Sequence, residues 1–79
     1  MKNLLAFGST HIVLKAESVL HDLDIAFRLN PAPSSLTSYC DLVITVDDDI
    51  LDKVVAALEG AGITPRGVYR KEKSGYVKL

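Results

Sequence analysis

The sequence holds a single cysteine, no tryptophan and no long apolar run. One cysteine cannot build an internal disulfide framework, which fits a reducing compartment. No segment approaches the roughly 20 consecutive apolar residues of a membrane-spanning helix. The N-terminal run Met1 to Gly8 is too short in apolar residues for a signal peptide. These absences lead us to expect a soluble, cytoplasmic protein. Charge of one sign is missing too: nine basic against ten acidic residues leave a net charge of −1, mixed along most of the chain. A nucleic-acid binder needs a basic stripe to displace phosphate counterions, so that class is excluded. There is no phosphate-binding loop, no His-Glu metal motif and no Ser-His-Asp constellation. The chain is therefore expected not to be an enzyme and to need no cofactor.

What is present is a small domain, residues 1–79. A chain of this size buries only about 60% of the surface its unfolded form exposes, so it has no room for a deep pocket beside a core. Leu4 to Phe7 reads as a buried strand closed by Gly8. Ser9 or Thr10 supplies a helix N-cap. Ile12, Val13, Ala16, Val19, Leu20 and Leu23 then recur at helical spacing, predicting a helix from Thr10 to Leu23. His21 falls off this stripe and belongs to the surface.

Ile25, Phe27 and Leu29 alternate with polar or small residues as a second strand, which Pro31 and Pro33 end. Leu42, Ile44 and Val46 make a third. Asp47-Asp48-Asp49 offers an N-cap and favourable charge for a second helix, lined by Ile50, Leu51, Val54, Ala57, Leu58 and Ala61. Gly60 and Gly62 stop that helix. Thr64 to Arg70 reads as a fourth strand, and 72–79 as a tail or short extra strand after a turn at Lys73-Ser74-Gly75. The basic residues Arg66, Arg70, Lys71, Lys73 and Lys78, against Glu72 alone, fit a solvated edge strand. The order predicts an α+β fold, a ferredoxin-like two-layer sandwich (βαββαβ) with an antiparallel sheet and both helices on one face.

That topology directs attention to Cys40. The first strand and the second strand end at one edge of the sandwich, so the loop 31–39 and the start of the third strand should meet Gly8, Ser9, Thr10 and His11 there. Amides at a helix N-terminus stabilise a thiolate, His11 could add charge or move a proton, and the hydroxyls of Ser34, Ser35, Thr37 and Ser38 could donate. Asp41 opposes this, because an adjacent carboxylate raises a thiol's pKa. Cys40, His11 and Asp41 lack the fourth ligand and the spacing of a metal site, so none is expected.

Several short motifs resemble the selenium/sulfur carrier-like family, a domain of unknown function. They are Phe7-Gly-Ser-Thr-His11, Leu14-Lys-Ala-Glu17, Pro31-Ala-Pro33, a cysteine seven residues beyond the second proline, and Gly62-Ile63 with Gly67-Val-Tyr69. The resemblance covers nearly the whole chain. It implies a bacterial or archaeal cytosolic accessory protein whose Cys40 holds sulfur or selenium, as a persulfide or selenosulfide, between donor and acceptor proteins. Two positions depart from the family pattern: Asp41 stands where Gly is usual after the cysteine, and Ser34 where Arg often follows the second proline. A second reading is a regulatory or interaction module that forms a homodimer through the open sheet face, around Val43, Thr45, Ala26 and Arg28, and takes a small ligand between subunits.

Overall fold

The computed structural model describes residues 3–33 and 42–79. Its elements are β1 (Asn3–Ala6), α1 (Thr10–Asp22), β2 (Arg28–Pro31), β3 (Leu42–Val46), a 3-10 turn (Asp48–Ile50), α2 (Leu51–Gly60), β4 (Gly67–Glu72) and β5 (Gly75–Lys78). The fold is α+β. The sheet has the order β2-β3-β1-β4-β5 with every neighbouring pair antiparallel. It therefore holds five strands where the βαββαβ reading counted four. The addition is the extra strand anticipated after Lys73, which folds back on β4 through the two-residue turn Lys73-Ser74.

Alternation decides what each face carries. Leu5, Phe7, Ile44 and Val46 point to the side on which both helices lie and pack with Val13, Ala16, Leu20, Val54 and Leu58. This is the main core. The opposite residues Leu4, Ala6, Val43 and Tyr69 form a second buried cluster, with Ala32 and Tyr76 against it. Val43 and Thr45 are thus buried, and Ala26 precedes β2 rather than lying in it. Ala26 and Arg28 are exposed, but a continuous exposed apolar patch around Val43 and Thr45 is absent among the described residues.

Both helices end alike. After α1, Asp24 adopts φ 58° and Ile25 N–H donates to Leu20 O at 3.0 Å; after α2, Gly62 adopts φ 79° and Ile63 N–H donates to Leu58 O at 2.8 Å. Each is a left-handed C-cap followed by an isoleucine that is buried against the helix it closes. This corrects the second strand, which was expected from Ile25. Its amide is spent on the helix, so pairing with β3 starts only at Arg28. Leu23, expected on the buried stripe, is the exposed cap residue instead. Pro31 ends β2 from within, paired with Leu42, which an edge strand permits. The fourth strand begins at Gly67, later than expected, because Thr64 and Pro65 belong to the connection out of α2.

The acidic run also differs. Asp47 precedes the 3-10 turn but makes no side-chain capping bond. Asp48 turns to the sheet, accepting from Asn3 Nδ2 at 2.6 Å and from Arg70 Nη2 at 3.1 Å.

Candidate functional site

The sheet register brings the ends of several elements together. Ala6 pairs with Gly67, and Leu5 with Ile44, so two residues further on Leu42 stands level with Phe7. Pro31 pairs with Leu42. One end of the sheet therefore collects the exit of β1, the start of α1, the end of β2 and the starts of β3 and β4.

Gly8 lies in the bend between β1 and α1 and is half-buried. Ser9 is the N-cap of α1, its Oγ accepting from Ile12 N–H at 3.3 Å. That bond engages one lone pair of the Ser9 oxygen. Thr10 and His11 open the helix and are exposed. No acidic residue occupies the first turn, so nothing there offsets the positive end of the helix dipole. Cys40 lies outside the described residues, as do Ser34, Ser35, Thr37, Ser38 and Asp41.

Arg66 joins this end of the sheet and was not among the residues singled out from the sequence. Its N–H donates to Ala6 O at 2.7 Å, which fixes its backbone beside the exit of β1. Its guanidinium lies over Gly8: a Cβ at that glycine would stand 3.3 Å from Arg66 Nη1. A signal was available. β4 runs antiparallel to β1, so the residue just before Gly67 had to lie near the one after Phe7.

A guanidinium over a glycine, next to the N-terminal turn of a helix, favours an anion in that neighbourhood. Among the described residues no three His, Cys, Asp or Glu side chains gather as metal ligands, and no cavity is enclosed. No described helix is long and apolar enough to cross a membrane.

These features define an α+β fold in which the Arg66 guanidinium and the N-terminal turn of α1 meet at one end of the sheet. Over residues 2–70 the chain matches the family described as "Putative Se/S carrier protein-like", and it belongs to that family. No curated protein and no solved structure matches it.

Proposed function

We propose that this chain is a non-enzymatic cytoplasmic carrier of sulfur or selenium, working as a single ferredoxin-like domain extended by β5, with Cys40 as the carrier thiol. In the loading step the Cys40 thiolate attacks the outer chalcogen of a donor persulfide or selenosulfide. A bond forms from Cys40 Sγ to that atom, its bond to the donor sulfur breaks, and the donor leaves as a thiolate. Delivery repeats the exchange: an acceptor nucleophile takes the terminal atom and Cys40 is released as thiolate. No net oxidation is required in either step.

The observation that carries this reading is the convergence of Arg66 and the N-terminal turn of α1 at the end of the sheet where β3 begins. Two residues of chain span at most about 7 Å, and Cys40 precedes Leu42 by two. Gly8, Ser9, Thr10 and His11 then supply the helix end, and Arg66 the cation. Family membership supports the same role. In this reading the positive charge of Arg66 at that end of the sheet offsets the departures at Ser34 and Asp41, one a lost cation and the other a gained anion.

The test follows the rate of Cys40 alkylation across pH, with glutathione as reference, together with sulfur acceptance from a cysteine desulfurase. A midpoint below the ~8.5 of a free thiol, and acceptance abolished by Cys40→Ser, are expected. Unchanged acceptance in Cys40→Ser, or a thiol that reacts only on unfolding, would overturn the proposal.

A further inference from the structure

The basic C-terminal segment divides into three groups in the structure. Arg66 lies over Gly8. Arg70 points to the helix side and pairs with Asp48. Lys71, Lys73 and Lys78 remain, all exposed, and none of them forms an ion pair among the described residues.

Register places these lysines. Tyr69 is opposite Lys78, and Lys71 is opposite Tyr76. Residues directly opposite share a face, and Tyr69 and Tyr76 both belong to the cluster on the face away from the helices. Lys71 and Lys78 are therefore diagonal neighbours on that face, a pair typically about 7–8 Å apart, flanking Tyr76. Lys73 stands at the hairpin turn beside them. The one acid of the hairpin, Glu72, alternates to the other face with Arg70.

Edge protection does not account for the set. Lys71 lies on β4, whose outer edge is already occupied by β5, so it guards no free edge. Acidic residues meanwhile concentrate on the helices and their ends, among them Glu17, Asp22, Asp49, Asp52 and Glu59. The charge is polarised between the two layers, although the net charge is only −1.

We propose that the Lys71–Lys73–Tyr76–Lys78 face of the β4–β5 hairpin docks an acidic surface of a partner protein. The half-buried Tyr76 supplies the aromatic body that protein contacts favour, and the three lysines around it supply charge complementary to an acidic partner. Nucleic-acid binding fits less well. A stable site typically neutralises several more phosphates, and the acidic helix layer repels a long polyanion. The identity of the partner as a chalcogen donor or acceptor rests on the carrier reading; the charge match does not.

The experiment titrates the full chain, labelled with nitrogen-15, with a capped hexaglutamate peptide. Saturable amide shifts confined to Gly67–Lys78 are expected. The double variant Lys71→Glu/Lys78→Glu should bind at least about tenfold more weakly, equivalent to roughly 1.4 kcal/mol. Lys71→Gln/Lys78→Gln should fall between, and Lys15→Glu/Lys53→Glu, on the helices, should bind as the parent does. Shifts centred elsewhere, no saturation, or equal weakening by the helix variant would overturn the proposal. So would tighter binding of an oligothymidylate of matched charge. Alkylation of Cys40 should be unchanged in the hairpin variants, so failure here is distinguishable from failure of the carrier reading.

Discussion

Asn3 and Asp48 lie 45 positions apart, and their side chains meet at 2.6 Å, Nδ2 donating to Oδ1. Asn3 is fully buried at the start of β1, and Arg70 opposite it reaches the same carboxylate oxygen. One acidic side chain thus ties the entry of α2 to two central strands. Asp48→Ala leaves the buried Asn3 amide without its acceptor, a loss of about 1–3 kcal/mol. Arg70→Ala removes only an ion pair whose side chains are 40% and 51% exposed, so its cost should stay below about 1 kcal/mol. Urea denaturation of the two variants checks the order; equal losses would mean that the Asn3 bond contributes little.

The helix ends give a second expectation, of opposite sign at two equivalent positions. Asp24 holds a left-handed conformation that costs an L-residue roughly 1–2 kcal/mol, while Gly62 holds it freely. Asp24→Gly should therefore stabilise by up to about 1 kcal/mol, after allowing for the extra freedom glycine gives the unfolded chain. Gly62→Ala should destabilise by a similar amount. Thermal melts of both would show it, and a destabilised Asp24→Gly would point to a role for that carboxylate beyond the turn.

These caps also show how far the sequence could be read. Helix periodicity located α1 and α2, and alternation located β3, because each signal lies within a few consecutive residues. Ile25 misled the reading of β2, since an apolar alternation cannot reveal that a backbone amide is already spent on the preceding helix. Asp48 misled in the same way. A local view assigns an acid before a helix to capping, whereas its partners Asn3 and Arg70 are distant in sequence. At the candidate site, the N-cap at Ser9 was legible because capping is local. Arg66 required the antiparallel pairing of β4 with β1.

Gly67 gives a third expectation. A Cβ there would lie 2.8 Å from Tyr69 Cε1 and 2.9 Å from Tyr69 Oη, so the buried tyrosine ring occupies the space a side chain would need. Gly67→Ala should cost about 1–3 kcal/mol through overpacking. In a Tyr69→Leu background the same change should cost clearly less, giving a coupling of about 1 kcal/mol or more in a double-mutant cycle. Additive losses would place the strain in the backbone and not in the ring contact.

The last expectation concerns Arg66 and separates an electrostatic role from a structural one. Its backbone N–H holds Ala6 O whatever side chain follows, so Arg66→Ala and Arg66→Glu should keep the fold. The side chain contributes the positive charge over Gly8. Removing it should raise the alkylation midpoint of Cys40, reversing it should raise the midpoint further, and Arg66→Lys should restore most of the parent value. The graded order is what identifies the charge, because a packing defect would not follow the sign of the substituent. Raising salt should shrink the differences between the variants, as screening acts on an exposed cation. If the three variants share the parent's midpoint, the guanidinium does not act on the thiol, and the helix end alone must stabilise whatever anion Cys40 bears.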